Sequence, residues 1–191
     1  PLTSRIHIVG IGDDGFQGLT GHARQLVEQA EVLLGTAPLL RKIPETNAER
    51  IELGGGLESL KETIVKLPKR TSVMLAGGDP LFYGIARYLT DSFGKERFEV
   101  VPHVSSMQLA FARVKESWDD AYLTNLATQS LDRVVDNIRT AERVGLFTTD
   151  VISPSVVAEA LLDRRIDYFT VYVCENLGTP DEVVTQGNLN S

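Results

Sequence analysis

The chain has one cysteine, Cys174, and one tryptophan, Trp118, among 191 residues. Without a second thiol there is no internal disulfide and no thiolate zinc site, which fits a reducing compartment and a cytoplasmic protein. Positive charge is also scarce. Nineteen lysines and arginines against 26 aspartates and glutamates leave a net charge of −7, and the cations form no run. A phosphate backbone attracts clustered cations, so a nucleic-acid partner is disfavoured. No apolar stretch approaches the roughly 20 residues a membrane helix needs, and no signal peptide precedes Arg5, so no membrane partner is expected. There is no nucleophile elbow of the GxSxG type. The three histidines fall in a strand (His7), a helix (His22) and a turn (His103), with no Glu or Cys at metal spacing, so no metal centre is expected. Hydrophobic residues at 42% and charged residues at 24% are globular proportions, enough to bury one large core or two small ones. The chain begins at Pro1 without a methionine and stops at Ser191 just after a strand-like segment, as a trimmed chain would.

What the sequence does contain is alternation. Arg5 to Gly10 reads as a buried strand, followed by a helix from about Thr20, its N-cap, with Ala23, Leu26, Val27 and Ala30 at helical spacing. Short strands at Val32 to Leu34 and Arg50 to Leu53 flank a helical turn near Leu39. A helix carrying Leu57, Leu60, Ile64 and Leu67 ends at Pro68. Ser72 to Ala76 reads as a strand, Leu81 to Phe93 as a helix, Phe98 to Val101 as a strand and Ser105 to Val114 as a helix. Strand and helix taking turns predict an α/β fold with a mostly parallel sheet covered on both faces. After Trp118 the strands are Ala121 to Leu126, Val144 to Thr148 and Tyr168 to Glu175. Helices at Ser130 to Thr140 and Pro154 to Asp163 separate them, the latter with Ser153 as N-cap and Pro154 at its first position. Trp118-Asp119-Asp120 marks the expected boundary, giving an N-terminal domain over 1–117 and a C-terminal domain over 118–191.

Three strand-to-helix turns draw attention. Gly10, Gly12 and Gly15 spell GxGxxG, which suits a dinucleotide only when a helix opens at the glycines and faces a pyrophosphate. Here the helix begins near Thr20, Asp13 and Asp14 sit where phosphate charge belongs, and the second strand ends at Gly35 without a carboxylate for a ribose. A tight turn is the plainer alternative. In Gly77-Gly78-Asp79-Pro80, an Asp N-cap before a Pro accounts for a helix start, but the two glycines exceed what a cap needs. Gly84, expected inside the following helix, costs about 1 kcal/mol relative to alanine. Both observations suggest a ligand or a backbone packed closely there. Pro102-His103-Val104-Ser105-Ser106 is the third turn, whose serines can cap a helix or contact a ligand.

With these motifs in view, the chain resembles the tetrapyrrole methylases that use S-adenosylmethionine. VGIGDDGFQGLT resembles the family's opening glycine motif, AGGDPLFYG its central motif and PHVSSMQLAFAR its proline–serine–serine turn. LFYGIARYL, SSMQLAFAR followed by WDDA, and ENLGTPDEVVTQGNL are most similar to the branch acting on precorrin-6Y or cobalt-precorrin-7, which methylates carbon 5 of the corrin precursor in cobalamin biosynthesis. The resemblance covers about Arg5 to Leu189.

That resemblance implies two α/β domains, a mostly parallel sheet in the first and a mixed sheet in the second, with a ligand cleft between them and a homodimeric assembly. Carried over, the donor-binding residues are Asp13, Gly77, Gly78, Asp79, Phe82, Ser105 and Ser106, with Leu126 and the Asn176-Leu177-Gly178 turn from the second domain. Gly10, Gly12 and Gly15 then face the tetrapyrrole. No catalytic base is assigned, and Asp79 is expected to act as a positioning group. Arg113 and Lys115, just after the third motif, are candidates to meet substrate carboxylates, or else surface residues. Asn125 to Gln129 departs from the Ser-Leu-His-Gly-Arg stretch common in relatives, and Asp13-Asp14 replaces a more usual Pro-Gly. A closing strand beyond Leu189 and, in many relatives, a carbon-15 methyltransferase domain would lie beyond Ser191. Two other readings remain open: an NAD(P)-dependent oxidoreductase and a non-catalytic tetrapyrrole-binding module.

Overall fold

In the computed structural model, which describes residues 5–191, the first half is built on five parallel strands. The opening residues of the expected first domain, 1–4, lie outside the described residues. The strands are β1 (Ile6–Ile11), β2 (Val32–Gly35), β3 (Glu49–Glu52), β4 (Ser72–Gly77) and β5 (Phe98–Val101), in the order β3-β2-β4-β1-β5. Between them run α1 (Gly21–Gln29), α2 (Ala37–Leu40), α3 (Gly56–Lys66) and α4 (Ala86–Phe93). Side chains alternate across each strand. Ile6 and Ile8 of β1 therefore pack with Leu60 of α3 and Leu89 of α4, whereas Val9 and Ile11 pack with Ala23 and Val27 of α1. With both faces covered, a strand must be apolar at every position, as VMLA in β4 is. Fully burying each branched side chain contributes about 1.5–3 kcal/mol.

The connections from β1 to β2 and from β4 to β5 run in opposite directions along the sheet, and α1 and α4 accordingly lie on opposite faces. Neighbouring strands whose connections run to opposite faces of the sheet leave a crevice beyond their carboxyl ends. β1 and β4 are such neighbours.

The chain divides into two compact units after Ser105, not after residue 117 as expected. The reason lies in α5 (Ser106–Val114). Its buried Met107 and Phe111 pack on Gly145 of β7 (Val144–Phe147), so this helix belongs to the second unit. That unit also contains β6 (Tyr122–Asn125), α6 (Leu131–Ile138), α7 (Pro154–Asp163), β8 (Thr170–Glu175) and β9 (Val183–Asn188). Parallel and antiparallel pairing both occur, as the mixed character expected here requires, but in two separate two-stranded sheets: β6 with β7 parallel, β8 with β9 antiparallel. A cavity of about 610 Å³ opens within this unit, lined by α5, β7, α7 and β8. The core of the unit gathers Val134 and Ile138 of α6 with Val157 and Leu161 of α7.

Helix starts follow the side chains that cap them. Thr20, Ser130 and Ser153 each accept a hydrogen bond from the backbone N–H three residues on, and Pro154 opens α7. The segment after Asp79-Pro80 differs from expectation. α4 begins at Ala86 rather than Leu81, so Asp79 caps no helix and Gly84 lies in a loop. The loop folds back on itself, with the Ala86 N–H donating to the Pro80 carbonyl at 3.1 Å and the Phe82 N–H to that of Asp79 at 3.1 Å. Tyr83 sits at φ 53°, which a helix cannot accommodate. A Cβ on Gly84 would collide with the Pro80 carbonyl, so it is close backbone approach that requires glycine at this position.

Candidate active site

Three turns meet at the carboxyl ends of β4, β1 and β5, which are adjacent in the sheet. The Gly78 N–H donates to the Ile11 carbonyl at 2.8 Å, carrying the β1–β4 ladder past the strand end. Gly10 lies where the turns touch. A Cβ there would strike the Gly78 carbonyl oxygen and come within 2.8 Å of the His103 nitrogen. Both neighbours are main chain and cannot yield, so the junction excludes any side chain. Gly78 has φ +63°, and a Cβ on it would lie 3.5 Å from Cα of the buried Ser105. Gly77, in contrast, has nothing within 4 Å of its Cβ position. Bare main chain beside open space is what close approach of a ligand to backbone requires. Asp79 turns back on its own loop, where its Oδ1 accepts the Leu81 N–H at 2.9 Å. Phe82 stacks edge-on to Tyr83, with centroids 5.1 Å apart.

The first glycine loop carries charge. Gly15, at φ +69°, donates its N–H to the Gly12 carbonyl at 3.1 Å and begins a short 3-10 turn ending at Gly18. Because this turn intervenes before Thr20 caps α1, the N-terminus of α1 does not open at the glycines, which overturns the dinucleotide reading of GxGxxG. Lys42 Nζ reaches both the Gly12 carbonyl, at 3.2 Å, and Asp13 Oδ1, at 3.0 Å. His103 Nε2 lies 3.4 Å from Asp14 Oδ1. Neither contact was legible in the sequence, where His103 stood as an isolated turn residue and Lys42 drew no notice. Their partners lie far along the chain, and no local spacing links them.

In the second unit, the Asn176-Leu177-Gly178 turn has Asn176 at φ 51° and Gly178 at φ +83°. The Gly178 N–H donates to Glu182 Oε1 at 2.9 Å, and Arg113 Nε donates to Glu182 Oε2 at 2.8 Å. Hydrogen bonding from Arg113, then from the Gly178 N–H, holds the Glu182 carboxyl below its usual range. Arg113 is thus committed to Glu182 and does not stand free to meet a substrate carboxylate. Lys115 is exposed at φ 60°. Leu177 and Ser106 line the cavity, whereas the Leu126 side chain is buried in the unit's core and only its main chain, with an N–H donated to the Phe147 carbonyl at 2.9 Å, faces a neighbouring strand. Burial, then the charge of Glu182, pushes the Cys174 thiol up, away from nucleophilic use.

Compared with known proteins, residues 5–191 match the family model for Tetrapyrrole (Corrin/Porphyrin) Methylases. The chain belongs to this family. One relative of this methylase is the Cobalt-precorrin-7 C(5)-methyltransferase of Salmonella typhimurium, 28% identical over 92% of the chain and 86% of the relative. Another is the decarboxylating Precorrin-6Y C(5,15)-methyltransferase of a Sinorhizobium species, 31% identical over 93% of the chain but only 43% of the relative. In fold, the methylase is similar to the uroporphyrin-III C-methyl transferase of Thermus thermophilus complexed with S-adenyl homocysteine. That likeness has a TM-score of 0.66 at 23% identity and covers 98% of this chain and 84% of the other. No helix among the methylase's described residues is long and apolar enough to cross a membrane.

Proposed function

We propose that the chain is an S-adenosylmethionine-dependent methyltransferase acting on carbon 5 of a precorrin, precorrin-6Y or cobalt-precorrin-7, in cobalamin biosynthesis. Family membership and the names of the relatives support the reaction class. The observation that carries it is the meeting of three turns beyond the crevice of β1 and β4, where Gly77 leaves main chain open and Gly10 keeps side chains out. That cradle fits a ligand held by backbone, and Gly77, Gly78, Asp79, Phe82 and Ser105, together with Asp13 of the first glycine loop, are the residues proposed to hold the methyl donor. When bound, the donor supplies a methyl group on a sulfonium already activated for displacement. The chain's own part is to align the acceptor carbon and keep water out. Gly10, Gly12 and Gly15 are proposed to face the tetrapyrrole, and Asp79, fixed by its bond from Leu81, to act as a positioning group. In the second unit, Ser106, the Leu126 main chain and the Asn176–Gly178 turn are proposed to present further ligand contacts.

The protein is further proposed to work as a cytoplasmic homodimer, which the lone cysteine and the family resemblance support. A carbon-15 activity, fused to it or separate, is proposed as its functional companion. The name of the Sinorhizobium relative and the 43% of it that this chain covers support that pairing.

Calorimetry with S-adenosylhomocysteine tests the reading, with micromolar-range binding expected. Heat with NAD instead, or none with either ligand, would overturn it. Incorporation of labelled methyl into a precorrin separates the enzyme from a binding module. Gly78→Val, at φ +63°, is expected to lose donor affinity in a folded protein, and unchanged affinity would make the turn merely architectural.

A further inference from the structure

Carbon 5 of a tetrapyrrole is a bridge carbon, and putting a methyl group where it carries hydrogen requires that hydrogen to leave as a proton. The ring carbon's π pair makes the new C–CH3 bond, and the S–CH3 pair stays on sulfur as a neutral thioether. The cationic ring then regains neutrality by losing the carbon-5 proton. The positive charge passes from the sulfonium to the ring and leaves only with the carbon-5 proton, so a nearby acceptor is worth about 10²–10⁴ in rate. We propose that His103 is this proton acceptor and that Asp14 is its positioning residue, an inference that rests on the methyltransferase reading given above.

The placement is specific. The His103 main chain forms one wall of the Gly10 junction, directly beside Gly78, so its side chain springs from the proposed donor corner. Its imidazole edge lies over the first glycine loop: a Cβ on Gly12 would be 3.0 Å from Nε2, and Asp14 Oδ1 stands 3.4 Å from the same nitrogen. The His103 side chain is 13% exposed. The Asp14 carboxylate lies directly over Gly18, where any side chain would collide with it. The charges around the ring are already sorted. Asp13 is matched by Lys42 at 3.0 Å, which leaves the Asp14 carboxylate to accept a hydrogen bond from Nε2–H, so that Nδ1 is the nitrogen proposed to take the proton. Asp79, on the neighbouring turn, is engaged with the Leu81 N–H. The other imidazoles stand elsewhere: His7 near the start of β1 beside Glu99, and His22 exposed on α1. A 3.4 Å separation is loose for a hydrogen bond, and catalytic pairs commonly tighten only around substrate.

The test compares wild type with His103→Gln and Asp14→Asn, using precorrin with hydrogen or deuterium at carbon 5. In wild type, methyl incorporation is expected. In His103→Gln, kcat should fall by about 10²–10⁴ with little change in KM, and a primary isotope effect should appear as proton removal becomes limiting. Added imidazole should restore part of the rate to His103→Ala. Asp14→Asn should lower kcat by less than loss of the imidazole itself does. Binding of S-adenosylhomocysteine by calorimetry should stay within about twofold in all variants, and a variant that fails this check as misfolded leaves the same comparison to the other. Wild type without methyl incorporation would overturn the methyltransferase reading itself. Incorporation by His103→Gln within tenfold of wild type, or a slow rate indifferent to deuterium, would overturn the inference while leaving that reading intact.

Discussion

Gly10 and Gly145 both sit on strands with no room for a side chain, yet their surroundings differ in kind. Around Gly10 the neighbours are a carbonyl oxygen and an amide nitrogen of two other strand-end turns. Around Gly145 a Cβ would meet the Met107 sulfur at 2.5 Å and the ends of Leu123 and Phe111 at 2.9 Å, in the unit that holds the 610 Å³ cavity. Main chain pinned by five parallel strands cannot give way, whereas flexible side-chain ends beside a cavity can. The first unit is thus built to hold backbone positions, and the second to tolerate adjustment.

The largest expected effect sharpens that contrast. Leu33→Ala, at a fully buried site of the first unit's sheet, should cost about 2–5 kcal/mol in denaturant unfolding, because helices on both faces keep the space from collapsing. Next comes Gly10→Ala, expected to cost about 1–3 kcal/mol by overpacking and to abolish detectable S-adenosylhomocysteine binding in calorimetry. If it binds normally, the junction is less rigid than the contacts indicate. Gly145→Ala should cost about 1 kcal/mol or less, since Met107 can swing into the cavity. A loss equal to that of Gly10→Ala would erase the contrast between the units.

The smallest effect concerns pH. Arg113 and the Gly178 N–H hold the Glu182 carboxyl below its ordinary value of 4.5, so the group is more acidic folded than unfolded. Its contribution is therefore fully present above that value and disappears as pH falls through the folded one. Glu182→Gln should lower Tm slightly at neutral pH, and the gap to wild type should close well below pH 4.5. A gap that persists in acid would assign the effect to packing of the turn instead.

Much of the fold could be read where the cause is local. Thr20, Ser130 and Ser153 announce their helices because the capping oxygen lies three residues from the N–H it accepts. Apolar strands such as VMLA announce a sheet covered on both faces. The misses have non-local causes. Asp79-Pro80 carries every sign of a helix start, yet the Pro80 carbonyl pressed on Gly84 and the Ala86 N–H bonded to it delay the helix to Ala86. The α5 helix reads as a continuation of the first alternating pattern, and only the contact of Met107 and Phe111 with Gly145 assigns it to the second unit. At the candidate site the glycine turns were visible as motifs. Their meeting at Gly10, the Asp14–His103 pair and the Lys42 tie depend on strand order, which no local spacing encodes.

The position of β1 also bears on how the polypeptide is made. Among the described strands Ile6–Ile11 leaves the ribosome before the others, but its two partners are Ser72–Gly77 and Phe98–Val101. Until the latter emerges, an apolar ribbon with an unsatisfied edge travels on the nascent chain, exposed to aggregation and to chaperones. Slow synthesis before Ser72 should therefore lower the yield of native protein more than an equal pause after Val101.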